Sequence, residues 1–287
     1  MRVSPDRIKL EDEYTLHLDS GIALRVYADN RPTNYEIAGI QKGIVLIDSG
    51  RELIEEGAGF GLPVAKYPDK SIFPGTAYTE IVDNPPFVTI EKTYVMNSVS
   101  FKELKNYGQI SDIIYHPIHQ AFTKLYLNFK ILRPVFDWVL ENRTRAGITT
   151  TFKHVEPRGT VKISYTINMK KIDIKVYPDL DPGCTELVLL NEQGASTFRK
   201  YSDSRKVLID RRIGAWQPVK GDYATFSDLH GSLSFSITKP MRSGFYMGRE
   251  FVKDRFSWSG LALSLNAYND TEYEILLNEN NLKVFHK

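Results

Sequence analysis

Three stretches of this sequence gather side chains able to do chemistry. The late segment 246–258 holds Tyr246, Arg249, Glu250, Arg255 and Trp258. Aromatic faces pack on the C–H faces of sugar rings, and arginine forks pair with carboxylates. A glutamate among them can move a proton as general acid or base. The same set also fits an internal Arg–Glu pair among core aromatics. In the second stretch, Glu192 and Arg199 follow the apolar run Leu187-Val-Leu-Leu190. Glu192 is a second candidate acid or base and Arg199 an anion partner, although a hydrogen-bonded turn explains the same residues. The third stretch, Gly50–Gly75, sets Glu55, Glu56, Lys66 and Tyr67 among glycines and prolines. Its composition reads as an irregular segment, either a binding loop or a bend between strands.

Other chemistries lose ground in detail. Gly57-Ala-Gly-Phe-Gly61 begins like a dinucleotide fingerprint, but Leu62 stands where the last glycine belongs and Pro63 follows. No phosphate-loop motif is present. His116 and His119 have zinc-compatible spacing but no nominated third ligand, and Pro117 lies between them. No metal and no cofactor is therefore expected. The single cysteine, Cys184, sits in an acidic turn that disfavours the thiolate, so it reads as structural.

The bulk numbers set the frame. With 37 basic and 35 acidic residues in 287, the formal charge is +2, which gives no global drive toward nucleic acid. The opening residues lack the apolar core of a signal peptide, and no run approaches the ~18 apolar residues of a membrane span. One cysteine and no leader suggest a cytoplasmic protein.

Period-two alternation dominates and predicts the elements that must position these groups. Tyr14, Leu16 and Leu18, a turn at Asp19-Ser-Gly21, then Ile22, Leu24 and Val26 read as a hairpin. Residues 43–47 and 86–96 read as strands. So do Val161–Ile167, Ile172–Val176 and stretches near 186–190, 206–210, 232–238, 260–267, 272–277 and 282–285. Between them the pattern turns helical. Ser100-Phe-Lys-Glu103 matches a capping box, Pro117 and Pro134 suit helix starts, and Gly147 suits a stop. Ile118, Phe122, Leu125, Tyr126 and Phe129 form one helical face, expected to pack on the parent sheet. The segment 117–146 carries five basic residues (Lys124, Lys130, Arg133, Arg143, Arg145) against Asp137 and Glu141, so it also suits a membrane surface, a protein partner or a second copy. The expected fold is mainly β: one domain over 1–287, a large two-sheet antiparallel sandwich with a helical insertion at about 98–147. Two separate sandwiches are the alternative.

The early strands 22–47, the Gly/Pro/aromatic stretch 57–75 and the late strands carrying Arg249-Glu250 and Trp258 together resemble the galactose-mutarotase-like β-supersandwich of carbohydrate-active proteins. The resemblance spans most of the β portion and excludes the helical insertion. It implies a histidine acid and a late glutamate base acting at C1 of a sugar. Glu250 stands where that base would be, while no histidine lies in a matching motif.

The expected function is binding or processing of a carbohydrate, of epimerase or lyase kind and with an acidic sugar as ligand. Glu250 or Glu192 would move the proton, and Arg249 and Lys66 would neutralise the ligand's charge. Tyr67 and Trp258 would stack on the ring, with Glu56, Arg199, Tyr246 and Arg255 completing the binding set. The alternative is a non-catalytic interaction protein that uses the insertion as its docking face.

Overall fold

A computed structural model describes residues 7–18, 21–28, 41–54, 57–84, 87–104, 108–110, 121, 125, 129, 134, 135, 138, 148–168, 170–211, 214–252 and 256–278. Among these the fold is mainly β. The first strands are β1 (Arg7–Lys9), β2 (Glu13–His17), β3 (Ile22–Tyr27), β4 (Val45–Asp48), β5 (Arg51–Glu52), β6 (Gly59–Lys66) and β7 (Ser71–Asn84). Then come β8 (Phe87–Leu104), β9 (Gly108–Ile110), β10 (Ile148–His154), β11 (Gly159–Ile167), β12 (Lys171–Leu180) and β13 (Glu186–Gln193). The chain continues with β14 (Lys200–Asp203), β15 (Val207–Ile209), β16 (Gly214–Pro218) and β17 (Tyr223–Ser227). It closes with β18 (Ser234–Thr238), β19 (Gly244–Val252), β20 (Phe256–Leu265) and β21 (Thr271–Leu277).

Strands β2 to β5 form a small antiparallel sheet, and the other 17 form one large antiparallel network. That network runs as two rows. The first is β1-β7-β8-β11-β12-β21-β18-β17-β14-β15, and the second is β6-β13-β20-β19-β16. They join at the β6–β7 hairpin, where Ala65 pairs with Ile72. Besides β7, strand β8 pairs with β11 along Val88–Val95, with β10 along Ser98–Leu104 and, at Lys102–Leu104, with β9.

The rows face each other as the layers of a sandwich. Phe60 of β6 meets Phe235 of β18 edge-on, with ring centroids 5.2 Å apart. The Tyr165 hydroxyl of β11 lies 3.2 Å from the Gly61 carbonyl, and the Tyr273 hydroxyl of β21 donates to Asn191 Oδ1 at 3.0 Å. The alternation that predicted β11 and β12 explains this packing. Val161, Ile163, Tyr165, Ile172, Ile174 and Val176 are all fully buried. A one-residue slip would turn each of them to the other face.

Much of the glycine block is strand rather than loop, with Gly59 and Gly61 in β6 and Gly75 in β7. Between Leu190↔Leu62 and Asn191↔Phe60 the register shifts, leaving Gly61 as the extra residue of a bulge. Gly61 has φ +78°, and a Cβ there would lie 2.6 Å from the Tyr165 hydroxyl, so backbone and space both call for glycine. Pro63 sits where β6 is laddered to β13 alone, and Pro74 at the irregular register between β7 and β8, the places where a strand tolerates a missing N–H.

The helical insertion is not supported. Its expected start, Ser100–Glu103, lies within β8 and pairs with β10 (Phe152↔Ser100, Thr149↔Glu103). A long-range ladder overrides the local capping signal there. Between 111 and 147 only Ala121, Leu125, Phe129, Pro134, Val135 and Trp138 are described; five of these, all but Phe129, have helical backbone, and no bounded helix is formed by described residues there. Leu125 and Phe129, expected to pack on the sheet, instead face solvent. His116, Pro117, His119 and Gly147 lie outside the described residues, as does the strand expected at 282–285. Among the described residues no helix is long and apolar enough to cross a membrane.

The small sheet and the chain next to it are tied to both rows by side chains. Gln193 accepts the Leu46 amide at 3.3 Å and donates to the Ile44 carbonyl at 3.2 Å. Fully buried Lys92 of β8 donates to the carbonyls of Lys42 at 2.8 Å and Tyr27 at 3.0 Å.

Candidate functional site

In an antiparallel ladder, directly paired residues point to the same face and their sequence neighbours to the other. Glu192 pairs with Gly260, Gly260 with Gly248, and Glu250 with Trp258. Leu190, Ala262 and Tyr246 form the adjoining row. Glu192, Glu250, Trp258 and Tyr246 therefore share the face of the second row that points away from the main core. Its floor is a small apolar cluster of Val64, Val188 and Ala262, with Phe73, Leu190, Trp216 and Tyr246 packed against it.

Glycines let large side chains lie flat on this face. A Cβ on Gly260 would be 2.6 Å from Glu192 Cγ, and one on Gly248 would be 2.4 Å from Trp258 Cη2. The stem of Glu192 thus lies over Gly260 and the indole of Trp258 over Gly248. Those two glycines are ladder partners, so the carboxyl arm and the indole are neighbours. Trp216 flanks Trp258 with ring centroids 4.9 Å apart at an angle of 35°.

Glu192, Glu250 and Trp258 are buried, whereas Trp216 and Tyr246 are half-exposed. Glu192 Oε2 accepts the Ala58 amide at 2.8 Å. Burial pushes its carboxyl up to about 7, and the charge of Glu250 pushes the same way. The Ala58 amide and Lys42 act against that rise. A carboxyl held in an apolar setting beside an indole and titrating near neutrality is suited to general acid–base work.

This shift has a consequence for stability. The folded pKa of Glu192 is raised above its ordinary 4.5, so its contribution is fully present below pH 4.5 and is lost as pH rises through about 7. The loss amounts to about 3 kcal/mol. Urea unfolding at pH 5 and pH 8 is expected to show it. Glu192→Gln keeps an acceptor for Ala58 and should flatten the difference. An equally steep pH dependence in that variant would assign the effect to another group.

The remaining expected site residues lie elsewhere. Arg249 is on the opposite face from Glu250, as neighbours on a strand must be. Its Nη2 donates to the Ala195 carbonyl at 2.9 Å and its Nη1 to the Arg211 carbonyl at 3.3 Å. Arg199 grips Asp210 through two bonds of 2.7 and 2.6 Å and holds that carboxyl below its usual range. Lys66 pairs with Glu186 at 3.3 Å. It shares the face of Glu192 but lies six residues away along β13, about 20 Å. Tyr67 rests its hydroxyl 3.3 Å from the Arg158 carbonyl, and burial pushes it up to about 12. Glu56 and Arg255 lie outside the described residues. No cluster of three or more metal-ligating side chains occurs among the described residues.

Lys42 escaped the sequence reading. It is buried just before β4 and acts electrostatically on Glu192. A backbone chain links the two: the Gly43 amide donates to the Ala58 carbonyl at 2.9 Å, and the Ala58 amide holds Glu192. The available signal was a lone charge embedded in the apolar run Ala38-Gly-Ile-Gln-Lys-Gly-Ile-Val-Leu-Ile47.

No family model and no curated protein matches this sequence. Among solved structures, HI1317 aligns over 93% of this chain and 100% of its own, at 9% identity and a TM-score of 0.36. A likeness at that level assigns neither family nor activity.

Proposed function

We propose that the outer face of β6, β13, β20 and β19 binds a carbohydrate, and that Glu192 exchanges a proton with it in chemistry of epimerase or lyase kind. The observation that carries this reading is the pairing of two buried carboxyls, Glu192 and Glu250, with two packed indoles on one face. Trp216 and Tyr246, the half-exposed members, are the groups a ligand meets first. Lys66, Arg199 and Arg249 are all engaged elsewhere in the fold. Their engagement favours a neutral sugar over the acidic one expected from sequence.

A thermal-shift panel of neutral sugars, uronic acids and sugar phosphates tests this. A ligand of the folded state at a hundred times its dissociation constant adds about 2.7 kcal/mol. A shift of several degrees with neutral sugars, lost in Trp216→Ala, is the expected result. A panel with no shift at all would favour the other reading, a non-catalytic interaction protein. The internal pairing of Arg199 with Asp210 and of Lys66 with Glu186 is the observation on that side.

A further inference from the structure

We propose that the open edge of β15 takes an extended, acid-flanked segment of a partner protein as a further antiparallel strand. Among the described residues β15 is laddered to β14 alone, with Lys200 opposite Ile209, Tyr201 opposite Leu208 and Ser202 opposite Val207. The Asp203 amide donates to the Lys206 carbonyl at 3.0 Å, and the Asp210 amide to the Arg199 carbonyl at 2.9 Å. Bonded and non-bonded pairs alternate along an antiparallel ladder, so Tyr201 and Leu208 are the bonded pair between those two. Val207 and Ile209 therefore turn their amides and carbonyls away from β14. These groups form the template to which an extended peptide adds at a sheet edge. The side chains of Val207 and Ile209 share one face and are 56% and 52% exposed, while Leu208 between them packs against the core. Bonding groups and β-branched side chains thus line the same edge, the combination that holds cross-strand pairs together.

Charge selects the occupant, and residues 199–211 are all described. The stretch has five basic residues (Arg199, Lys200, Arg205, Lys206, Arg211) and two acidic (Asp203, Asp210). Both acidic side chains are engaged within the fold. Asp203 accepts the Tyr201 hydroxyl at 2.7 Å and the amides of Arg205 and Lys206, and Asp210 is gripped by Arg199. Lys200 lies beside Ile209 across the ladder, Arg205 two residues before Val207 and Arg211 two residues after Ile209. Among the described residues none of these three side chains makes an ion pair. Two copies pairing edge to edge would set these cations against one another, whereas an acidic segment is drawn to them. The matching strand has β-branched residues opposite Val207 and Ile209 and an acidic residue two positions beyond each, all on one face by period two.

The test is fluorescence anisotropy of the full chain with the fluorescein-labelled peptide Glu-Thr-Val-Thr-Val-Thr-Glu. Binding is expected, and salt should weaken it. Affinity should fall roughly tenfold or more when lysines replace the glutamates, and again when the two valine nitrogens are methylated, because those amides face Val207 and Ile209. Val207→Glu/Ile209→Glu changes only exposed positions. Its melting temperature should be unchanged and its binding of the glutamate peptide lost. Arg205→Glu/Arg211→Glu should reverse the preference, so that the lysine peptide binds better than the glutamate peptide. No binding, equal affinity for the two peptides, indifference to methylation or an unreversed preference would overturn the proposal. A concentration-dependent dimer that Val207→Glu/Ile209→Glu dissolves, in a protein that ignores the peptides, would overturn it in favour of a second copy.

Discussion

Glu192→Gln is expected to lower turnover of any sugar that stabilises the protein by roughly 10²- to 10⁴-fold, the range associated with losing a general acid or base. The fold should survive, because the amide keeps an oxygen for the Ala58 amide and the volume over Gly260 is unchanged. Above pH 7 the variant should be more stable than the parent, since a buried carboxylate has been replaced by a neutral group. Loss of activity with a gain in stability separates a chemical role from a structural one. Glu250→Gln gives the complementary result. The charge of Glu250 raises the carboxyl of Glu192, so removing it should move the Glu192 limb of the pH–rate profile to lower pH. Steady-state rates across pH 5 to 9 check both. If Glu192→Gln keeps full activity while Glu250→Gln abolishes it, Glu250 is the proton-transfer group and the assignment to Glu192 fails.

The largest effect on stability is expected from Gly43→Ala. A Cβ at Gly43 would lie 1.9 Å from the Phe60 carbonyl oxygen and 2.6 Å from its carbon, both backbone atoms. No side-chain rotation relieves that clash. The chain before β4 would have to move off β6, breaking the paired bonds between Ile44 and Phe60 at 3.0 and 2.8 Å. A cost of roughly 3 kcal/mol or more follows, a large share of the ~5–15 kcal/mol that holds a typical domain folded. The same movement carries Ala58 away from Glu192, so any response to ligand should vanish with it. Gly50→Ala is the control. It has φ +79° but nothing within 4 Å, so it should cost only about 1–2 kcal/mol. Urea midpoints of the two variants measure the difference. Equal midpoints would mean that β4 and β6 are not held as closely as the ladder indicates.

Where one side of a strand is buried, period two made the fold legible. The Tyr14–Val26 hairpin and the β11–β12 pair could be read directly because their alternating residues are those that reach the core, while the strand at Gly43–Ile47 was legible as an unbroken apolar run, buried throughout. What escaped the reading was set by contacts distant in sequence. Gly59 and Gly61 suggested a loop, yet β13, about 130 residues on, draws them into a strand with a bulge. Ser100 and Glu103 suggested a helix start, and β10 claims them for a ladder. At the site, the residue types at Glu192, Glu250 and Trp258 could be picked out, but not which face each occupies. Alternation along β19 already contained part of that answer. It forbids Arg249 and Glu250 from meeting one ligand on one side. The roles of Lys42, Gly248 and Gly260 depend on what crosses the sheet beside them, and local sequence does not encode that.

The second row joins strands made far apart in time. During synthesis β6 emerges early, yet its ladder partner β13 follows about 130 residues later and β20 later still. At ribosomal speeds of roughly 5–20 residues per second, β6 waits on the order of ten seconds with an apolar, unpaired edge. Phe60, Leu62, Val64 and Ala65, all buried in the finished protein, are uncovered during that interval. Pro63 takes one N–H out of the row that another nascent chain would need in order to pair, and the glycines at 59 and 61 lower the strand propensity of that edge. Residues that look like defects in the finished strand would make the waiting edge a poorer template for a premature partner.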